Sequence, residues 1–229
     1  CWGRRRGTRR VRRLDPMSAV IVVGAGPGVS GSLARLYAAE GWSVGLVGND
    51  EAALADLAAS LHGVRVERRV ADVADPVTGG QAVEDLAERL GRVDVLHVNP
   101  SVFREADPLR LRPQDLLDDV AVGVGALLVA VQAAHPWMSA GARVSATGSM
   151  AADEPWHRAA SLGVQKAGLR NLVISLDRTL EADGIRAVSV TVRGALSSEG
   201  TFTPDKVAEA ILAATRQDPH EWRAEVSYP

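Results

Sequence analysis

Short runs of β-branched residues alternate along the chain with longer segments rich in alanine and leucine. Six runs are typical of buried strands: residues 19–24, 43–48, 64–71, 93–98, 143–147 and 185–192. The segments between them have the apolar spacing of amphipathic helices. Because strand–helix–strand crossovers are right-handed, this alternation predicts one α/β domain, with a doubly wound, mainly parallel sheet and helices on both faces.

The first run ends in a glycine-rich turn that leads into a helix-like segment. The turn and the start of this segment contain Gly24, Gly26, Pro27, Gly28, Val29 and Ser30. Glycines permit a tight turn and let backbone N–H groups approach a pyrophosphate at a helix N-terminus, where the helix dipole favours anions. The sequence therefore predicts a dinucleotide site here and a three-layer Rossmann fold. A merely structural turn is the alternative interpretation.

Polar residues also follow the third and fourth strand-like runs. Asp72 and Val73 come after the third run, where a carboxylate could accept from an adenine amino group. Asn99 closes the fourth run, where it could hydrogen-bond backbone or touch a ribose. His97 lies inside that apolar run, so we interpret it as a core histidine whose ring is satisfied by hydrogen bonds. No companion ligands stand at metal spacing, and no metal site is predicted.

Charge and cysteine content limit the partners and the compartment. Residues 1–16 contain seven of the 26 basic residues and only one of the 28 acidic residues. We interpret them as a disordered or non-native extension, because Met17 opens a sequence typical of a natural start, and we predict no nucleic-acid partner from them. The domain then comprises residues 17–229. The single cysteine, Cys1, cannot form an internal disulfide, which favours the cytoplasm.

An uncharged stretch, residues 120–142, has the length of a membrane span. Glycines, His135 and Pro136 interrupt it, so a buried helix is the preferred interpretation and no membrane contact is predicted. Helices are predicted over residues 109–135 and 156–182, and they are expected to carry self-association. Residues 120–134 are too uniformly apolar to leave one face in water, so a homodimer or homotetramer is predicted.

Together these motifs resemble the short-chain dehydrogenase/reductase family from Met17 to the C-terminus. Gly24 and Gly28 match two glycines of its Gly-x-x-x-Gly-x-Gly motif, and Ser30 stands at the third. Asp72 with Val73 is similar to the family's adenine-site pair. Its Asn-Asn-Ala-Gly motif is half kept, because only Asn99 remains. The resemblance implies a nicotinamide dinucleotide as cofactor and a carbonyl or alcohol as substrate.

Family catalysis uses an asparagine, a serine, a tyrosine and a lysine. Lys166 and Ser149 match the lysine and the serine, and the resemblance implies that Lys166 also binds the nicotinamide ribose. Leu162 stands in the tyrosine register, four residues before Lys166, and Gly123 aligns with the asparagine. Since a leucine cannot donate a proton, the resemblance implies a degenerate active site.

Cofactor type and function stay open at this level. Positions 48 and 49, where the family places an acid for NAD or a base for NADP, hold glycine and Asn49, which slightly favours NADP. One hypothesis is an oxidoreductase that uses Ser149, Lys166 and a water or His157 as proton source. The alternatives are a redox-inactive dinucleotide-binding sensor or scaffold, and a non-redox lyase or cyclase. Residues 195–203 leave only a short lid, which predicts an open site.

Overall fold

The computed structural model describes residues 18–229, so the arginine-rich segment 1–16 lies outside the described residues. Its strands are β1 (Ala19–Val23), β2 (Ser43–Gly48), β3 (Val66–Val70), β4 (Val95–Val98), β5 (Arg143–Ser149), β6 (Arg186–Val192) and β7 (Glu225–Tyr228). Its α-helices are α1 (Val29–Ala39), α2 (Glu51–Ser60), α3 (Pro76–Leu90), α4 (Pro113–Val120), α5 (Ala126–Ala134), α6 (Ala160–Leu180) and α7 (Pro204–Thr215).

The seven strands form one sheet in the order β3-β2-β1-β4-β5-β6-β7, and every pairing in the described chain is parallel. The chain order reverses beside β1, between β1 and β4. Crevices outside the carboxyl ends of strands at such a reversal are where ligands bind in open α/β sheets. The predicted doubly wound α/β architecture is confirmed, and this edge of the sheet is where a site is expected.

Helices cover both faces of the sheet. Val20 and Val22 of β1 point into a cluster with α1, α2 and α7, whereas Ile21 and Val23 point into a cluster with α3, α5 and α6. This alternation follows from the two-residue period of a strand, since successive side chains point to opposite faces. Both faces of β1 are therefore buried, as its continuous apolar sequence requires.

One helical rod contains the uncharged stretch. A π-helical turn, Ala121–Gly125, joins α4 to α5, and Leu127, Ala130 and Val131 of α5 belong to the core. Among the described residues, this rod is the one helix long and apolar enough, by length and composition alone, to cross a membrane. The helix predicted over residues 109–135 begins later than expected, at Pro113, whose fixed φ suits the first helical position.

Two further boundaries differ from the sequence prediction. The helix α6 begins at Ala160 rather than at residue 156, because residues 156–159 form a turn, in which the N–H of Ala159 donates to the carbonyl of Trp156, and Ala159 bridges to Ala106. The edge strand β7 was not among the six predicted strands. It is only four residues long and half-exposed, so it lacks the apolar run that identifies a buried strand.

Candidate functional site

A cavity of about 340 Å³ opens at the carboxyl edge of the sheet, beside β1, β2 and β4. It brings together five of the predicted site residues from distant parts of the sequence: Gly24, Asn49, Asp72, Val73 and Asn99. The remaining lining residues are Ala25, Gly48, Pro100, Ser101, Val102 and Val122. The glycine-rich turn forms the part of the wall nearest to the start of α1.

The glycines of that turn have two different surroundings: Gly24 is crowded, whereas Gly26 and Gly28 face open space. Gly24 has a φ of +77°, and a Cβ there would lie 2.7 Å from the backbone nitrogen of Pro100. A Cβ on Gly26 or Gly28, in contrast, would meet no atom of residues 18–229 within 4 Å. Gly28 is the N-cap of α1 and provides no side-chain hydrogen bond to its first turn. The turn thus forms an open cradle, in which the backbone at the N-terminus of α1 is uncovered, the arrangement in which helix N-termini bind phosphate.

Ser30 connects the turn to the end of β4. Its buried hydroxyl donates to the carbonyl of Gly24 at 2.9 Å and accepts from Nδ2 of Asn99 at 2.7 Å. The backbone N–H of Asn99 donates to the carbonyl of Val23 at 2.9 Å. The Ser30 hydroxyl therefore links Asn99, at the end of β4, to Gly24, at the end of β1, across the point where the chain order reverses.

The acids near the cavity have different local roles. Oδ1 of Asp72 accepts from the backbone N–H of Ala74 at 2.9 Å, which fixes the turn after β3 while Asp72 itself stays exposed. Asp50 caps α2, because its Oδ1 accepts from the N–H of Ala53 at 3.0 Å. Asn49, exposed between β2 and this cap, is therefore the polar side chain that this end of β2 contributes to the cavity lining.

The second candidate region lies at the end of β5 and on α6. Oγ of Ser149 accepts from the backbone N–H of Ala151 at 3.2 Å, and so caps the short helical turn that follows β5. Nζ of Lys166 donates to the carbonyl of Thr147 at 2.9 Å. Leu162 lies one turn earlier on α6 and is half-buried. Both predicted catalytic polar groups thus have partners within the protein.

Burial governs the charge of Lys166. The side chain is nearly fully buried, and burial lowers the pKa of its amino group to about 8. Beneath it, His97 hydrogen-bonds the hydroxyls of Ser145 at 2.9 Å and Thr147 at 3.3 Å, as expected for a core histidine. Burial, with Lys166 nearby, lowers the pKa of His97 to about 3, so its ring is neutral at physiological pH.

Both tyrosines of the chain are engaged away from Ser149 and Lys166. Tyr37 of α1 is buried and lies 3.2 Å from the hydroxyl of Thr215, and burial raises its pKa to about 12. Tyr228 of β7 donates to the carbonyl of Thr201 at 2.8 Å. Phe202 stacks edge-on with Tyr228 and presses on Gly194, so the short segment after β6 folds back onto the C-terminal strand.

His157, the candidate replacement acid, is exposed. His157 lines a different, apolar cavity of about 570 Å³, together with Trp156 and Val164. This cavity and the one at the glycine-rich turn share no lining residue.

Sequence reasoning missed Gln165, the residue before Lys166. It is fully buried, and its side chain hydrogen-bonds both backbone groups of Val102. Its aliphatic carbons and its Oε1 occupy the space that a side chain at Gly123 would need. A buried glutamine between helical apolar positions is unusual enough to single out, but its partners come from other elements and have no local signal.

The parallel sheet and the glycine-rich first turn define a protein of the Rossmann class. A family model described as short chain dehydrogenase matches residues 18–201. The chain belongs to the short-chain dehydrogenase family, whose members are NAD(P)-binding oxidoreductases.

The comparison with individual proteins agrees with this assignment. The chain is 28% identical to sulfoacetaldehyde reductase 2 of Chromohalobacter salexigens over 213 residues, covering 90% of this chain and 83% of that protein. It is 27% identical to meso-2,3-butanediol dehydrogenase of Serratia marcescens over 215 residues, covering 91% and 85%. A short chain dehydrogenase from Burkholderia cenocepacia, solved in complex with NADP, superposes with a TM-score of 0.83 at 26% identity, covering 94% and 97%.

Proposed function

We propose that the cavity at the glycine-rich turn binds NADP or NAD. The observation that carries this proposal is the open cradle at Gly26 and Gly28, beside an uncapped helix N-terminus. In this arrangement the pyrophosphate lies against the backbone of the turn. The full set of proposed cofactor residues is Gly24, Gly26, Pro27, Gly28, Val29, Ser30, Asn49, Asp72, Val73, Asn99 and Lys166.

Within that set, Asn49 governs the choice between the two cofactors. A 2′-phosphate beside Asn49 meets an amide rather than a carboxylate at this position, which gives a slight preference for NADP. The Burkholderia relative was solved with NADP, which supports the same preference. In this proposal Asp72 and Val73 contact the adenine, and Asn99, which donates to the Ser30 hydroxyl, lies on the ribose side.

We further propose that the chain reduces a carbonyl or oxidises an alcohol, and does so slowly. The bound nicotinamide supplies or accepts the hydride. Leu162 occupies the position of the proton-donating phenol and Gly123 that of the asparagine, so Lys166 or a water must supply the proton near the substrate oxygen that Ser149 holds. A missing general acid typically costs ~10²–10⁴ in rate. The names of two relatives, which specify a small aldehyde and a diol, support this substrate class.

A second candidate function is dinucleotide binding without redox turnover. The observation in its favour is that Nζ of Lys166 and Oγ of Ser149 both hydrogen-bond backbone of the protein itself. A sensor or scaffold needs the cradle but not these groups. Measured turnover decides between the two candidates only if it depends on Lys166 and Ser149.

The domain bounds, the compartment and the oligomeric state are also part of the proposed function. We place the functional domain at residues 17–229, in the cytoplasm. We also propose a homodimer or homotetramer formed through α4, α5 and α6. Their outer faces carry three exposed aliphatic side chains: Leu117, Leu128 and Val164. Burying such side chains between two copies stabilises association, and closed two-fold symmetry is its commonest form.

Calorimetric titration with NADPH and NADH tests cofactor binding directly. Gly28→Asp puts a side chain and a negative charge into the open cradle, so we expect affinity to fall at least a hundredfold. Asn171→Asp adds the same charge on the exposed face of α6 and is the matched control, expected to bind normally. Equal affinities for wild type and a folded Gly28→Asp variant would refute the site. No binding by the wild-type chain would refute both candidate functions.

A further inference from the structure

Gln165 holds the backbone of Val102 from both sides of its peptide unit. Its Oε1 accepts from the N–H of Val102 at 3.1 Å, and its Nε2 donates to the carbonyl of Val102 at 3.0 Å. The side chain has no solvent exposure. A buried amide whose donor and acceptor are both satisfied fixes its partner strongly, because breaking either bond leaves a buried polar group unpaired.

Gly123 is the residue that makes room for this amide. A Cβ at position 123 would lie 2.5 Å from Oε1 of Gln165 and 2.8 Å from its Cβ and Cγ. The Cβ of Gln165 is fixed by the backbone of α6 and cannot move aside, and the Cγ and Oε1 can do so only by breaking the hydrogen bonds to Val102. A side chain at position 123 and a glutamine at position 165 therefore exclude each other.

The segment that Gln165 holds is part of the cavity wall. Pro100, Ser101 and Val102 line the cavity and have no regular secondary structure. Further along, the segment is tied down again by Arg104, which forms two hydrogen bonds of 2.9 Å to Asp119 of α4. Gln165 makes the attachment nearer to the cavity.

We propose that Gln165 is a positioning residue for the cofactor cavity and acts from the space left by Gly123. It sets the distance between the Pro100–Val102 wall and the glycine-rich turn, which Pro100 already contacts closely at Gly24. The glycine at position 123 is thus one half of a compensating pair and more than a lost catalytic asparagine. This inference rests on the proposed function, since it takes the cavity to hold a dinucleotide.

The first test separates the hydrogen bonds from the volume of the side chain. Gln165→Met keeps the length and loses both bonds, and Gln114→Met makes the same change on the exposed face of α4 as a control. We expect Gln165→Met to accelerate amide hydrogen exchange at Val102 at least tenfold. If the position of the Pro100–Val102 wall determines the affinity for NADPH, the loss of two hydrogen bonds should weaken NADPH binding by roughly tenfold to hundredfold. Gln114→Met should change neither quantity.

A second test uses rescue. Gly123→Asn alone should expel the Gln165 amide and weaken cofactor binding. In the Gln165→Gly background the three clashing atoms are absent and the same asparagine has space, so Gly123→Asn should weaken cofactor binding less there than in the wild-type chain. Additive losses, or a folded Gln165→Met variant with unchanged exchange at Val102 and unchanged affinity, would overturn the inference. Failure of the wild-type chain to bind any nicotinamide dinucleotide would instead overturn the proposed function and with it the cofactor role, while the exchange result still reports on the wall.

Discussion

The two halves of the candidate site differ in what their polar groups do. At the glycine-rich turn, Gly26 and Gly28 face open space and the first turn of α1 has no side-chain cap. At the end of β5, Ser149 and Lys166 are hydrogen-bonded to the backbone of the protein. The first half depends on backbone geometry, which many sequences can maintain. The second half depends on particular side chains, so a single substitution there changes its chemistry.

The largest expected effect comes from placing a phenol at position 162, where we propose that the family's proton donor is missing. Leu162→Tyr places a hydroxyl one helical turn before Lys166, whose charge lowers the phenol pKa and favours proton exchange. We expect turnover of ketones or alcohols to rise by about ten- to a thousandfold, within the usual contribution of a general acid. Steady-state kinetics with both nicotinamides would measure it. Leu162→Phe adds the ring without the hydroxyl, so an equal gain in both variants would contradict the proton-transfer explanation, and no gain would favour the redox-inactive candidate.

A smaller effect, on the pH dependence of the free energy of unfolding, is expected from the buried charge of Lys166. Its pKa is about 8 in the folded protein and about 10.4 when unfolded, so the unfolded chain binds more protons between these values. The buried ammonium lowers the free energy of unfolding by its full amount below pH 8. This loss of stability disappears as the pH rises toward the pKa of the unfolded chain.

Urea denaturation of wild type and Lys166→Met at pH 7 and pH 10 measures this cost. The stability of wild type relative to the variant should increase by ~2 kcal/mol between the two pH values. Lys206, the other lysine of the chain, is exposed, so Lys206→Met is the control that should lack this slope. A pH-independent difference for Lys166→Met would mean that the ammonium is solvated in the folded protein.

The smallest expected effect belongs to the cavity half. Ser30→Ala leaves the amide of Asn99 without its hydroxyl acceptor, which costs about 1 kcal/mol and lowers the melting temperature by roughly 2–4 °C. The cradle itself keeps its backbone, so NADPH affinity should fall less than about threefold. Ser60→Ala, which removes a local bond to the carbonyl of Leu57, is the control for losing a hydroxyl. A large loss of affinity would show that the turn depends on side chains as much as the other half does.

The sequence predicted the fold well because its signals are local. Strand-like runs and the glycine-rich turn record which residues are buried and where the chain must bend. The same local signals singled out Asp72 and Asn99, whereas Asn49 came from the family resemblance; all three line one cavity, since side chains at the carboxyl ends of neighbouring parallel strands converge. They failed for β7, an edge strand where Glu225 accepts from the Thr191 hydroxyl instead of packing in an apolar layer.

The partners of the catalytic residues could not be predicted in the same way. Counting along the sequence places Lys166 and Leu162 on one helix, but the carbonyl that Lys166 binds belongs to Thr147 on a strand. The Gly123–Gln165 contact joins the π-helical turn to α6, and the role of each residue can be recognised only from its contact with the other. Interactions of this kind depend on the distance between packed elements, which no local pattern encodes.

The π-helical turn changes the phase of the rod between α4 and α5. Its buried positions Asp115, Asp119, Gly123 and Leu127 recur every fourth residue. In a regular helix, each step of four residues rotates the side chain by about 40°, so this row would wind away from the sheet. The wider turn counteracts that rotation and holds the row against its neighbours. A search for a 3.6-residue period therefore meets a change of phase at this turn, so α4 and α5 are read correctly only as two separate helices.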